Sequence, residues 1–373
     1  MSRSNWLARR DDHSGPGVTD SFWSYAALAG WIGQNLLPDW SGVEVEAAVR
    51  TSAGFSYETW ILDIVEPNSP RSERMVMRRE PEVGPIEPYD ISTEARMFTA
   101  LESTDLPTPR LLGHCEDHEV AERPFILVEF VAGDVPDYRT VTARPDWQDP
   151  TRRSEMAAEF AQTLARIQGL DAGRLARAAQ LEQPSSERAR LHRAIDHHVD
   201  VIARRTPHGW PPHPIFNDAA AWLRRNAPDG PPEDMVMVHG DYKLGNLIWR
   251  DRQVVAVIDW EGAEIGDPLQ DLGYACHPIM READPSLIAM LAPLDEMVAA
   301  FENASGRTVN LERLHYYVIY ALFFHTFTVV MGLISVVEPS GDVRIASMYS
   351  KLNQVTRHLT DQIAAYERGM GVL

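Results

Sequence analysis

The chain has 373 residues, 44% of them hydrophobic, enough for two domains or one large two-lobed domain with a substantial core. Its 35 basic and 54 acidic residues give a net charge of −19. That charge argues against a nucleic-acid backbone or an anionic membrane as partner and would suit a small cationic one, although many acidic proteins are merely soluble. Two cysteines, Cys115 and Cys276, cannot build a disulfide framework, so a reducing cytoplasm is the simplest setting.

In chain order, residues 1 to about 20 are polar, lack the apolar core of a signal peptide and read as an arm. Ser21 to Leu37 carries apolar residues at helical spacing. Val43–Val49 and Trp60–Val65 read as strands, and the turn between them bears Gly54 and Ser56. Strand, glycine turn and strand is a shape in which backbone N–H groups approach phosphate, and an ordinary hairpin has the same pattern. Arg74–Arg79 is a third strand, whose alternation puts Val76 and Arg78 on one face and Arg79 on the other. After a Pro-rich loop, Ser92–Glu102 reads as a helix with Glu94 in its first turn, where the helix dipole favours an acid. Leu106–Leu112 is extended because of its prolines, and Pro124–Gly133 is a buried strand.

From there the pattern turns helical. Thr151–Leu170, Leu191–Arg205 and Phe216–Asn226 read as helices, with a polar loop and substrate-side insertion over 171–191. His192, His197 and His198 read as surface residues, because adjacent histidines diverge on a helix and no other ligand spacing supports zinc. Helices follow at 287–301, 311–337 and 347–366. Val318–Val337 is twenty residues without a charge, but His325, Thr326, Thr328 and Ser335 interrupt it, which favours a buried helix over a membrane span.

The most informative stretch is 236–271. Two short apolar strands, Met235–Val238 and Val254–Ile258, bracket it. Past the first lie His239, Asp241 and Asn246, in the H-x-D-x-x-x-x-N spacing of a kinase catalytic loop; past the second lies Asp259, where a D-F-G aspartate falls, followed here by Trp260 and Glu261. Phosphoryl transfer needs a carboxylate to orient the acceptor hydroxyl and oxygen ligands for Mg²⁺, and this pattern supplies both.

With Gly266-Asp267-Pro268-Leu269-Gln270-Asp271-Leu272 added, the segment resembles the aminoglycoside phosphotransferase and choline kinase-like family. The resemblance implies an α+β, protein-kinase-like two-lobe fold with a small antiparallel β-rich N-lobe and a large, mostly helical C-lobe. It places an arm and helix at 1–39, a nucleotide-binding N-lobe at 40–133, and a C-lobe with catalytic loop and substrate-binding helices at 134–373. It implies that Asp241 orients the acceptor hydroxyl and takes its proton, that His239 braces the loop, and that Asn246 and Asp259 hold Mg²⁺. Ser56 would lie near the β-phosphate, Val76 against the base, and Arg78 in the usual lysine position, paired with Glu94. Arginine there keeps the charge and adds a fork. The backbone from Glu129 to Val131 would meet the edge of the base. Asp267 and Asp271 are structural or substrate-side candidates.

The expected activity is Mg²⁺-dependent transfer of the γ-phosphate of ATP or GTP to a hydroxyl of a small molecule. Aminoglycosides, choline-like amines and hydroxy-acyl thioesters are the acceptors of such relatives. A nucleotide-binding pseudokinase is the alternative, prompted by Arg78 and the single-glycine loop. A protein kinase is disfavoured, because no A-P-E segment follows Asp271.

Overall fold

The computed structural model describes residues 24–51, 56–86, 88–136, 141, 144–210, 214–281, 284–336 and 350–372. The first helix, α1 (Tyr25–Asn35), is capped by Ser24, whose hydroxyl oxygen accepts from the Ala27 N–H at 3.3 Å. Residues 21–23, the expected start, lie outside the described residues.

Five strands follow: β1 (Glu44–Arg50), β2 (Glu58–Val65), β3 (Ser72–Arg79), β4 (Leu111–Cys115) and β5 (Phe125–Glu129). They form one antiparallel sheet in the order β1-β2-β3-β5-β4. The alternation expected of β3 holds. Met75 and Met77 join Leu62, Ile64 and Leu127 beneath Leu28 and Ile32 of α1. Val76 points to the opposite face, with Ile126 and Val128, against helix α2 (Ile91–Leu101). Each such side chain contributes about 1.5–3 kcal/mol when fully buried, so both faces of the sheet are fixed and the register of Arg78 with them. Arg79 faces the other way and bonds Glu58 and the Ala121 carbonyl oxygen.

The rest is mostly helical: α3 (Pro150–Gln168), α4 (Ala172–Ala179), α5 (Glu187–Arg205) and α6 (Pro214–Asn226) precede a group of short strands, and α7 (Gln270–Cys276), α8 (Leu294–Ser305), α9 (Leu311–Val336) and α10 (Leu352–Glu367) follow it. The fold is therefore the protein-kinase-like α+β arrangement expected, a β-rich N-terminal part on a helical C-terminal one.

Two local expectations are corrected, the loop over 171–191 and the exposure of His198, and the pairing of the strands around the catalytic motif is left open by the sequence. The polar loop over 171–191 contains α4, capped by Asp171 and buried through Leu175, Ala176 and Ala179. Its apolar face is mostly alanine, which favours helix strongly but carries little hydrophobic signal. The strands flanking the catalytic motif are not paired with each other. β6 (Val236–Val238) pairs with β9 (Glu264–Gly266), and β8 (Gln253–Val257) pairs with β7 (Leu247–Arg250). The Ile258 N–H donates to the Asn246 carbonyl oxygen at 3.0 Å, which extends the β7–β8 ladder to the residues next to Asp259. His198 is not a surface residue; it is half-buried, 4.4 Å from the Phe327 ring, and burial pushes its imidazole down to about 3.

Among the described residues one helix, α9, is long and apolar enough to cross a membrane, and 78% of its most apolar stretch is buried inside the protein. It packs on α5, α6, α7 and α10. The approach to α7 is closest at Gly273, where an added Cβ would stand 2.5 Å from the Tyr317 Cβ and 2.8 Å from its carbonyl carbon. Gly273→Ala should therefore lower stability by about 1–3 kcal/mol, read by thermal denaturation. An unchanged melting temperature would mean that α7 and α9 can separate freely.

Candidate active site

The catalytic loop is held from below by α7. Asp271, buried in its first turn, accepts from the backbone N–H groups of His239 at 2.8 Å and Gly240 at 2.9 Å. Burial pushes its carboxyl up to about 6, although His239 and the two N–H bonds oppose the shift. His239 is fully buried. Its Nδ1 lies 3.3 Å from the Asp241 N–H and its Nε2 2.9 Å from the Ile258 carbonyl oxygen. That network assigns the proton to Nε2, with Nδ1 as acceptor. The ring also packs on Trp260, 4.7 Å away. Gly240 has φ +85°, and a Cβ there would stand 2.1 Å from the Gly262 carbonyl oxygen. Only glycine lets the two functional turns approach so closely.

This scaffold presents Asp241. Its Oδ2 is bound by the Lys243 ammonium and accepts from the Asn246 amide at 2.8 Å; the same amide donates to the Asp241 carbonyl oxygen at 2.9 Å. Asp241 Oδ1 is buried and has no hydrogen-bond partner among the described residues. The Tyr274 hydroxyl stands beside this carboxylate; burial raises its pKa well above the usual range, and the Asp241 charge and a polar interaction with the Asp241 side chain add to the shift. One oxygen is thus anchored and the other left for a hydroxyl from outside.

The second turn runs from Asp259, held at φ +70°, through Trp260 to Glu261. Arg78 joins it to the sheet. Its Nε lies 2.9 Å from Glu94, its Nη2 lies 2.6 Å from Asp259 Oδ1 and 4.0 Å from Glu261, and its guanidinium covers the Tyr57 ring at 5.2 Å. The other oxygen of Glu94 accepts from the Trp260 N–H at 3.2 Å. Ser56 donates to Glu261 at 2.5 Å. Three carboxylates share one guanidinium. Burial raises Glu94 to about 7 and, with repulsion from Asp259, lifts Glu261 well above the usual range. Asp259 stays below the usual range, because Arg78 and Lys243 outweigh its own burial.

Such a surplus of hard oxygen attracts a divalent cation. Among the described residues no group of three or more His, Cys, Asp or Glu is arranged to hold a metal alone. Mg²⁺ needs less than that, since it takes one or two carboxylates and completes its shell with phosphate and water. Asp259, Glu261 and the amide oxygen of Asn246 fit that requirement, whereas nothing here offers the nitrogen and sulfur ligands of zinc.

The structure thus brings together seven residues singled out in the sequence: Ser56, Arg78, Glu94, His239, Asp241, Asn246 and Asp259. Val76 lies two residues before Arg78 on the same face of β3. Glu129 and Val131 do not join the cluster. The Glu129 side chain pairs with Arg110, and its N–H donates to the Arg110 carbonyl oxygen at 2.9 Å, so that donor is already in use. Residues 52–55 of the glycine turn lie outside the described residues. Sequence reasoning left Lys243, Glu261 and Tyr274 without roles. The first two carried a signal, each lying two positions beyond a catalytic-motif aspartate. A groove of about 490 Å³ on the outer side of α2, lined by Ser92, Arg96, Thr99, His114 and Arg174, includes none of these residues.

A catalytic loop and an acidic turn facing each other beneath a five-stranded antiparallel sheet define a protein-kinase-like phosphotransferase. Residues 50–304 match the phosphotransferase enzyme family (APH), and the chain belongs to that family. Two solved structures share the fold. One is a Ralstonia eutropha protein provisionally described as an aminoglycoside phosphotransferase, at TM-score 0.66 and 20% identity, covering 91% of this chain and 98% of that one. The other is a thermostable mutant of an aminoglycoside phosphotransferase in ternary complex with ADP and hygromycin B, at TM-score 0.55 and 15% identity, covering 89% and 98%. Among curated proteins the chain is 28% identical over 207 residues to mouse acyl-CoA dehydrogenase family member 10 and 24% identical over 266 residues to human member 11. Those matches cover 54% and 66% of this chain but only 18% and 32% of the relatives' own length.

Asp271 gives a test of the scaffold. Its carboxyl is raised from 3.8 to about 6 in the folded protein, so its contribution to stability is greatest below the unfolded value and is lost as pH rises through the folded one. Asp271→Asn removes that loss. Urea midpoints measured at about pH 4.5 and 6.5 should show wild type declining relative to the variant across the interval. Parallel behaviour would contradict the protonation of Asp271 in the folded state.

Proposed function

We propose that this protein transfers the γ-phosphate of ATP or GTP, in a Mg²⁺-dependent reaction, to a hydroxyl group of a small molecule. The observation that carries the reading is the buried, unpartnered Oδ1 of Asp241, whose other oxygen is fixed by Lys243 and Asn246. An acceptor hydroxyl donating to Oδ1 is oriented by a carboxylate that cannot swing away. As the alcohol oxygen bonds to the γ-phosphorus, its proton passes to Asp241 and the bond to the β,γ-bridging oxygen breaks, leaving nucleoside diphosphate. Lys243 and Asn246 fix the orientation of that carboxylate from its other oxygen.

The nucleotide is placed between the 40–133 and 134–373 segments. Asp259, Glu261 and Asn246 would hold Mg²⁺, which neutralises charge on the phosphate oxygens. Arg78 can turn from Asp259 to phosphate while Glu94 keeps hold of its Nε. Ser56, now on Glu261, lies where a loop hydroxyl would reach the same phosphates.

A nucleotide-binding pseudokinase is the second reading, and one observation favours it. Arg78 sits directly on Asp259 and competes there with a cation. Nucleoside diphosphate release with Mg-ATP and Mg-GTP across aminoglycosides, macrolides, amino alcohols and hydroxyacyl thioesters discriminates the two. The last class is included because the curated relatives are named as acyl-CoA dehydrogenases. Acceptor-dependent release is expected, with Asp241→Asn lowering kcat by about 10²–10⁴-fold while the KM for nucleotide changes little. Asp259→Ala should abolish the Mg²⁺-dependent reaction. Normal turnover in either variant, or no release with any acceptor, would overturn the phosphotransferase reading.

A further inference from the structure

Asp271 holds the catalytic loop, and the residue before it in α7 is itself held by a buried arginine. Arg190 stands in the first turn of α5. Its Nε donates to Glu187 Oε2 at 2.9 Å and its Nη2 to Glu187 Oε1 at 2.5 Å. The same Nη2 donates to Gln270 Oε1 of α7 at 2.5 Å. Its Nη1 lies 2.8 Å from Glu264 Oε2 of β9, at an angle outside hydrogen-bond geometry. The Gln270 amide closes the ring by donating to the other oxygen of Glu264 at 2.6 Å. Glu187 is buried too, and it also accepts from the Tyr317 hydroxyl of α9 at 2.7 Å. One guanidinium thus ties together the first residues of α5, α7 and β9.

Both α7 and β9 carry the catalytic loop. Glu264 is paired across the ladder with Val238, the residue before His239. Gln270 is followed by Asp271, whose carboxylate accepts from the His239 and Gly240 N–H groups. The ladder that delivers the loop and the helix that anchors it therefore meet at Arg190. The fit is close: a Cβ on Gly266, at the end of β9, would stand 3.1 Å from Arg190 Nε and 3.3 Å from Gln270 Oε1. Charge alone does not call for arginine here. Lysine would balance Glu187 equally well, but only a planar fork presents N–H groups to Glu187, Glu264 and Gln270 at once.

We propose that Arg190 is a positioning residue for the transfer. Through Gln270 and Glu264 it fixes Asp271 beneath His239 and Gly240, and so fixes the backbone from which Asp241 projects. It binds neither nucleotide nor acceptor. A buried ion group adds little net stability over well-packed apolar side chains, so its worth here lies in the register it imposes on the loop. This inference rests on the phosphotransferase reading above.

Two variants test it. Arg190→Lys keeps the charge beside Glu187 and loses the fork, and Gln270→Met cuts the link to α7 while leaving the pair of Arg190 with Glu187 in place; should one fail to fold, the other decides. Amide hydrogen exchange of the folded protein reads the anchor without any need for activity. The His239 and Gly240 amides should exchange about tenfold faster in the variants, while those of β2 and β3 change by less than about twofold. With the acceptor that gives most nucleoside diphosphate release in the panel above, kcat should fall about tenfold and the KM for ATP should stay within about twofold. A merely structural role would speed exchange in the sheet and the loop alike and would not split kcat from KM. Unchanged exchange at His239 and Gly240, or faster exchange spread equally over the sheet, would overturn the inference and leave the phosphotransferase reading intact. So would a wild-type kcat in a variant whose loop exchanges faster. If the wild-type protein turns over no acceptor, the inference falls together with that reading.

Discussion

Arg78 is the contact on which the rest of the site depends. It rises from the middle of a sheet fixed on both faces, and it reaches α2 through Glu94 and the acidic turn through Asp259 at the same time. Glu94 is fully buried and also accepts from the Trp260 N–H, so it cannot leave without breaking the attachment of the turn to α2. Removing either partner would strand a buried charge, which is far more costly than the net worth of the pair. The significance of the network is thus positional. It sets the distance between the N-terminal sheet and the acidic turn, and that distance must match a nucleotide's phosphates.

The opposite end is fixed differently. Asp241, the proposed base, is not positioned by packing of its own side chain. It is placed by backbone hydrogen bonds to Asp271, by His239 bridging to Ile258, and by the contact of Gly240 with Gly262. Because His239 touches Trp260 and Glu94 holds the Trp260 N–H, the two carboxylate-bearing turns share one buried indole. A shift at Arg78 therefore has a short route to Asp241.

Much of this was legible in the sequence for a physical reason. Catalytic loops concentrate their chemistry within a few residues, so the spacing His239–Asp241–Asn246 and the aspartate after the next strand survive without knowledge of the fold. Arg78 and Glu94 could be paired because strand alternation and element order leave few partners. What the sequence did not show was nonlocal or weakly apolar. The pairing of β6 with β9 skips an intervening hairpin, helix α4 hides its face in alanines, and the contact between Ser56 and Glu261 spans 205 positions.

The central physical question is whether Arg78 yields Asp259 to a cation when nucleotide enters. Calorimetric titration of a non-hydrolysable ATP analogue, with and without Mg²⁺, answers it directly. If the acidic turn exchanges its guanidinium for a metal, Mg²⁺ should tighten binding by about tenfold or more, and Asp259→Asn should erase that gain. Equal affinity with and without Mg²⁺ in the wild-type protein would contradict a metal-assisted transfer site.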